Sequence, residues 1–298
     1  MKKTGIKKAL ILTLALTSLL SFTACASKET ASETQPDQAV STPEATPEAA
    51  PETKEQTPLE KIKEKGTLIL GTSADYPPYE FHASINGKDE IVGFDIEIGK
   101  EIAKDLGVEL VIKDMKFDGL LAALDQGNID IVIAGMSPTP ERAENVDFSQ
   151  IYYQSMQTVV IRAEDKDVLT SAESLKGKKI GVQKGAIQET IASEQFPGAS
   201  PVALGKITDL ILSLNSGRID SAIIEYPVAK SGVSVNPGLF ITEIPIEMED
   251  NGTAIALKKG SDDYLEAVNK TLTRLLEEKL VDKFVADATL LAEEQLEN

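Results

Sequence analysis

The chain has 298 residues, 42% hydrophobic and 26% charged, which is ordinary for a globular protein and allows about two domains. Thirty Lys and Arg against forty-eight Asp and Glu leave a formal charge of −18, a surface that repels phosphate backbones and disfavours nucleic acid. One Cys, one His and no Trp exclude a disulfide framework and the common Cys- or His-based metal sites, and weigh against carbohydrate stacking, so neither metal nor cofactor is expected.

Residues 1–8 carry four lysines, residues 9–20 are an almost uninterrupted apolar run, and small residues follow to Ala24. A basic start, a short apolar stretch and a small residue before a cut read as an export signal over residues 1–24. The run is shorter than the ~20 residues of a spanning helix. Residues 26–57 are dominated by Ser, Thr, Glu, Pro, Ala and Gln, with tandem Thr42-Pro43-Glu44-Ala45 and Thr46-Pro47-Glu48-Ala49 and one large aliphatic, Val40. Such a segment cannot bury a core, and a linker over 25–57 spanning on the order of 30 Å is expected.

Thr57-Pro58-Leu59-Glu60 has the spacing of a capping box, with Pro at the first helical position and Gly66 at the stop, so a helix opens the globular part. Residues 67–72 follow as a buried strand. Asp95 is placed to cap a helix bearing apolar Ile98, Ile102, Ala103 and Leu106 and ended by Gly107. A strand at 108–112, a helix at 118–126 and a strand at 129–134 continue the alternation, which implies an α/β fold with βαβ units and a largely parallel sheet.

Leu124-Asp125-Gln126-Gly127-Asn128-Ile129-Asp130 is echoed by Leu214-Asn215-Ser216-Gly217-Arg218-Ile219-Asp220. In both a helix ends at Gly and a strand opens at Ile-Asp. A weaker echo pairs Lys65-Gly66-Thr67-Leu68-Ile69-Leu70-Gly71 with Gly177-Lys178-Lys179-Ile180-Gly181-Val182. Any two βαβ units look alike at glycine turns, but the stronger echo points to two similar lobes, each turning the carboxyl ends of its strands to a ligand crevice.

In Ser137-Pro138-Thr139-Pro140-Glu141-Arg142, Thr139 caps a short helix with Pro140 at its first position. Arg142 then lies beside the loop amides of Met136 and Ser137, and a guanidinium fork with free backbone N–H groups is a carboxylate receptor. Gly185-Ala186-Ile187, between a strand at 180–182 and a helix at 188–194, offers a second anion-facing helix start, although Gly before a helix is common. Glu225 ends the apolar strand 219–224 and precedes Tyr226-Pro227; it either meets a cation such as an ammonium or caps the next helix. Tyr76, in the aromatic loop Asp75-Tyr76-Pro77-Pro78-Tyr79-Glu80-Phe81, and Phe117, before the 118–126 helix, form a pair able to sandwich a side chain.

The stretches Asp75-Tyr76-Pro77-Pro78-Tyr79-Glu80, Val92-Gly93-Phe94-Asp95, Phe117-Asp118-Gly119-Leu120, Thr139-Pro140-Glu141-Arg142, Val146-Asp147-Phe148-Ser149 and Gly217-Arg218-Ile219-Asp220 together resemble the solute-binding proteins (family 3) of polar amino-acid ABC importers, with the periplasmic-binding-protein type II fold. They spread from about residue 60 to the C-terminus. The resemblance implies two α/β lobes joined by a two-crossing hinge: a discontinuous first lobe of residues 58–160 and 250–298, and a second of 161–249. The crossings are expected near 160–163 and 246–251, with a helix at 262–279 returning to cover the first lobe.

By the same resemblance Phe22-Thr23-Ala24-Cys25 is a lipobox, with Phe where Leu is usual, and Cys25 is lipidated. Arg142 would grip an α-carboxylate with amides of Ser137 and of Ala186 or Ile187. Glu225 would take the α-ammonium, Tyr76 and Phe117 would flank the side chain, and Ser73, Gly135 and Gln183 would read its end. Ser73 stands where relatives for His, Arg or Gln carry Asp, which favours a polar neutral amino acid unless another acid such as Glu80 substitutes. The resemblance thus implies a monomeric, lipid-anchored extracellular receptor that delivers a free amino acid to an ABC permease and is not an enzyme. A dehydratase-like enzyme on this fold and a ligand-sensing surface receptor are the alternatives; against the first, His82 is the sole His and has no evident partner in the sequence.

Overall fold

The structure, a computed structural model, describes residues 56–248 and 252–297; the expected export signal, Cys25 and nearly all of the linker lie outside them. The globular part opens on helix α1 (Pro58–Lys65). The Thr57 hydroxyl accepts from the Glu60 amide, the Glu60 carboxylate from the Thr57 amide, and Gly66 stops the helix at φ 70°. Strand β1 (Thr67–Thr72) leads into an antiparallel ribbon of β2 (Asp75–Tyr76), β3 (Glu80–Ile85) and β4 (Lys88–Val92). Then come α2 (Phe94–Leu106), β5 (Glu109–Asp114), α3 (Leu120–Asp125), β6 (Ile131–Val132), α4 (Pro140–Ala143) and β7 (Val146–Phe148). The next run holds β8 (Tyr153–Gln154), β9 (Gln157–Arg162), β10 (Lys179–Gln183), α5 (Ile187–Gln195), β11 (Ser200–Leu204), α6 (Ile207–Asn215), β12 (Ser221–Glu225), α7 (Tyr226–Ser234) and β13 (Leu239–Ile241). The chain returns through β14 (Gly252–Thr253), β15 (Ala256–Lys258), α8 (Asp262–Glu277) and α9 (Leu280–Glu297).

Two five-stranded sheets result, ordered β5-β1-β6-β15-β7 and β11-β10-β12-β9-β13. In each, the first three strands pair in parallel and the fourth runs against them. This is the two-lobe α/β fold. The chain leaves the first sheet after β7 and enters the second at β9, ahead of residues 160–163, where the crossing was expected. The apolar run through Val160 and Ile161 is fully buried because β9 is an inner strand of the second sheet, not a connector. A short antiparallel pair, β8 with β14, stitches the outgoing and returning segments together. Helix α8 packs on α1 and α2 beside the first sheet, burying Tyr264, Val268, Leu272 and Leu275.

Both sequence echoes have physical content. Gly127 and Gly217 end their helices at φ 72° and 70°, in the left-handed region that glycine alone enters freely. Three residues on, Asp130 and Asp220 do identical work. The Asp130 amide donates to the Ile69 carbonyl while its carboxylate accepts from the Ile69 amide at 2.7 Å; Asp220 repeats both bonds with Lys179. The weaker echo also matches in space. A Cβ on Gly71 would run into Ile129 and approach Leu120, and one on Gly181 would run into Ile219 and Leu210.

Two expected elements differ. The strand expected over 129–134 shrinks to Ile131–Val132, since the residues beyond it turn into the loop that lines the central cavity. Asp95 does not cap α2: Gly93, at φ 130°, is the N-cap, and Asp95 sits inside the helix with its fully buried carboxylate turned to the Gly135 amide and the Tyr152 hydroxyl.

Gly181→Ala should overpack the β10–α6 contact and cost about 1–3 kcal/mol. The check is a urea unfolding curve, whose midpoint should fall with little change of slope.

Candidate functional site

The carboxyl ends of β1 and β6 on one sheet and of β10 and β12 on the other converge on a cavity of about 350 Å³, within the ~300–1,000 Å³ usual for small-molecule sites. Of the residues singled out in the sequence, Ser73, Tyr76, Phe117, Gly135, Ser137, Arg142, Gln183, Ala186, Ile187 and Glu225 line it. Two do not. Met136 is buried in the apolar core with Phe117 and Leu120, which leaves only its backbone in the loop. Gly185 lies outside the lining because its amide is taken by the Glu189 carboxylate and its carbonyl by Arg142. Glu80, Ala134, Gln157 and Gln188 line the cavity as well and were not assigned to it from sequence.

Arg142 is held at the cationic end. The Thr139 hydroxyl caps α4 through the Arg142 amide, which fixes where the side chain starts. Its guanidinium donates to the Ser137 carbonyl at 2.7 Å and, across to the other sheet's segment, to the Gly185 carbonyl at 2.9 Å. It also lies 5.5 Å from the centre of the Phe117 ring, a cation–π distance. Burial lowers its pKa to about 10, so the charge persists at neutral pH. Two of five donors are engaged with carbonyls, leaving the fork able to take a carboxylate. Ile187 opens α5, whose first amides have no acceptor within the helix. The Ala186 amide, by contrast, already donates to Gln183.

The acidic end is Glu225. It stands at the N-terminus of α7 but makes no side-chain cap, which removes the capping alternative. Its carboxyl is buried and receives the Tyr76 hydroxyl, from the opposite sheet's segment, at 3.3 Å. Burial pushes its pKa up to about 8 despite the pull of neighbouring tyrosine hydroxyls, because no cation faces it within the protein.

Glu80 is the feature sequence reading underrated. It is buried in the cavity wall, and its Oε2 has no hydrogen-bond donor. Loss of hydration, then the charges of Asp95 and Asp75, holds its carboxyl well above the usual range. The signal in the sequence was its place between Tyr79 and Phe81, where strand alternation turns one neighbour in and the other out. The direction was set by the β3–β4 pairing, which no local pattern announces. Ser73 points elsewhere, donating to Asp75. The sole histidine, His82, is exposed on β3, pairs with Asp89 at 2.9 Å and is not part of the cavity wall.

The two halves also meet away from the cavity. Asp75 accepts from the Ile207 amide at 2.6 Å, at the start of α6, a helix with no side-chain cap of its own. Lys184 and Asp118 form an ion pair at 2.7 Å at the rim.

Residues 68–287 match the family model of bacterial extracellular solute-binding proteins, family 3. The chain is 40% identical over 214 residues to the arginine-binding extracellular protein ArtP of Bacillus subtilis, covering 71% of this chain and 81% of that protein. It is 34% identical over 218 residues to the L-cystine-binding protein TcyJ of Escherichia coli, covering 73% and 80%. Its fold matches the amino-acid ABC transporter substrate-binding protein AbpA of Streptococcus pneumoniae, solved bound to L-arginine, with a TM-score of 0.76 and 41% identity over 78% of this chain and 98% of that one.

Asp75→Ala removes a helix cap supplied from the other half, a contact worth about 0.5–2 kcal/mol. The halves should separate more readily, and the radius of gyration from small-angle scattering should rise; an unchanged radius would contradict a holding role for this contact.

Proposed function

Because the chain belongs to the bacterial extracellular solute-binding proteins of family 3, we propose that it captures a free amino acid with a cationic side chain, arginine foremost, and presents it to an ABC permease. The observation that carries the ligand class is the charge inventory of the cavity. One guanidinium, Arg142, faces two buried carboxyls, Glu225 and Glu80. An α-carboxylate matches the first, an α-ammonium the second and a side-chain cation the third, so every charge taken from water meets an opposite one. Glu80 therefore reverses the weight that Ser73 gave to a neutral ligand. The arginine-binding relatives support the same class; the cystine-binding relative lacks a side-chain cation, so the class rests on Glu80.

The chemistry follows from placement. The Arg142 fork and the opening amides of α5 grip the carboxylate from both halves, while Glu225 takes the ammonium. Tyr76 and Phe117 bound the apolar part of the side chain. Charge-assisted hydrogen bonds of roughly 1.5–3 kcal/mol each exist in full only when both halves contact the ligand, so binding favours the closed arrangement. The charge-poor start of the chain and Cys25 support a lipoprotein held outside the cytoplasmic membrane by a flexible tether, acting as a monomer. Lobe boundaries follow the sheets: residues 58–148 with 256–297, and 157–241.

The tests are calorimetric. Arg142→Ala should abolish arginine binding while leaving the melting temperature within a few degrees. The Glu225 pH dependence has a definite sign. Its carboxyl is protonated in the free site below about 8 and must ionise to meet an ammonium, so binding releases a proton and affinity rises with pH up to about 8. At pH 6.5 the observed heat should vary with buffer ionisation enthalpy, and Glu225→Gln should remove that variation. Glu80→Gln should weaken arginine by about tenfold or more relative to citrulline, its neutral isostere.

A further inference from the structure

Behind the cavity wall lies a buried group with no direct part in the contacts above. Asp95 is fully buried in the first turn of α2. Its Oδ2 accepts from the Gly135 amide at 2.8 Å, and both of its oxygens lie 2.9 Å from the Tyr152 hydroxyl. Its carboxyl also shares a hydrogen bond with that of Glu80. Two carboxyls can hydrogen-bond only if one of them carries a proton. The pair is therefore not a double anion but a unit with one proton and one negative charge.

We propose that Asp95 is the positioning residue that sets selectivity for a cationic side chain: it holds the Glu80 carboxyl against the cavity and takes over the shared proton when a cation arrives. In the free site the proton sits on Glu80 and the charge on Asp95, steadied by the Gly135 amide and the Tyr152 hydroxyl. When a guanidinium approaches Glu80, the proton passes along the hydrogen bond to Asp95. Glu80 becomes the anion and Asp95 the donor. The proton count of the pair is unchanged, so the charge relocates without a proton having to leave a closed cavity. Selectivity then depends on Asp95 although it never touches the ligand. The proposal rests on reading Glu80 as the partner of a side-chain cation.

The surroundings of the pair fix the pH window. The groups facing Glu80 are Asp95 on α2, Asp75 and Tyr76 on β2, Tyr152 before β8 and Glu225 at the end of β12, with no cation among them. Burial raises Asp95 to about 7, so the pair takes up its second proton and loses its charge as pH falls through that value. Selectivity for a cation is accordingly present above about pH 7 and lost below it. Glu225 titrates nearby, but it serves the α-ammonium of every amino acid and cancels when two ligands are compared.

The experiment measures arginine and citrulline affinities by calorimetry from pH 5 to 9 on the full chain and on Asp95→Asn. The asparagine oxygen can still accept from Gly135 and Tyr152, while its amide donates permanently to Glu80. In the unsubstituted protein the ratio of arginine to citrulline affinity should fall about tenfold between pH 8 and pH 5.5. In Asp95→Asn the midpoint of that fall should move down by about one pH unit or more, with the ratio at pH 8.5 within about threefold of the original. If Asp95→Asn weakens both ligands equally and leaves the midpoint where it was, Asp95 merely braces the Gly135 loop and the proposal is overturned. If Glu80→Gln leaves the ratio untouched, the reading of Glu80 itself fails, a separate result. A readout independent of the variant's folding is carbon-13 NMR of glutamate-labelled chain, with Glu80 assigned by its loss in Glu80→Gln. At pH 7.5 its carboxyl resonance should move to the ionised position on adding arginine and stay put with citrulline; no movement with arginine would also overturn the proposal.

Discussion

The structure depends on a mismatch of charge inside a nearly closed space. Two carboxyls, Glu225 and Glu80, are buried in one cavity with a single guanidinium, and neither has a cation of the protein's own to face. Isolated burial of an ionised carboxyl costs several kcal/mol, so such groups stay protonated until a counter-charge arrives. Their raised pKa values are the sign of this. A cavity whose acids are neutral when free and ionised when filled recognises its ligand by charge number as much as by shape.

The fold delivers these groups to one point by doing the same thing twice. Each sheet turns the carboxyl ends of its parallel strands to the cavity, and each holds its register with the same Gly-x-Ile-Asp device, through Asp130 and Asp220. The anchors are divided between the two sheets' segments: Arg142 and Tyr76 on one side, Glu225 and the start of α5 on the other. Arg142 donates to Gly185 and Tyr76 to Glu225, so each anchor already has its hand across the gap. Asp75 adds a bond of another kind, completing the α6 helix from outside it. Closure thereby satisfies backbone groups that the second half leaves open when alone.

How much of this was legible in the sequence varies with the range of the interaction. Caps and stops at Thr57, Gly66, Gly107 and Thr139 were readable because their partners lie within four or five residues. The echo around Gly127 and Gly217 was readable because a repeated turn requires a repeated glycine. Arg142, Glu225, Tyr76 and Phe117 followed from strand ends. The misreadings share a cause. Asp95 has the composition and position of a cap, but its partners Gly135 and Tyr152 lie forty and fifty-seven residues away. Residues 160–163 were taken as a connector because nothing local separates an inner strand of the second sheet from a crossing. Glu80 was noted yet left out of the site, since the ribbon pairing that turns it inward is tertiary.

The same long-range bonds explain why the acids can stay so deep without unfolding the protein. Asp95 is anchored at three points: the Gly135 amide, the Tyr152 hydroxyl and the Glu80 carboxyl. Each of those partners belongs to a different segment: the cavity loop after β6, the crossing before β8 and strand β3. An unpaired acid there would cost the fold its full desolvation penalty, whereas a pair sharing a proton buries a single charge with several donors around it. The cavity thus keeps an ionisable reserve at moderate cost, and that reserve sits where the binding loop, the crossing and the ribbon meet. A change of charge in the ligand is felt at the junction of all three, which is where the two halves are joined.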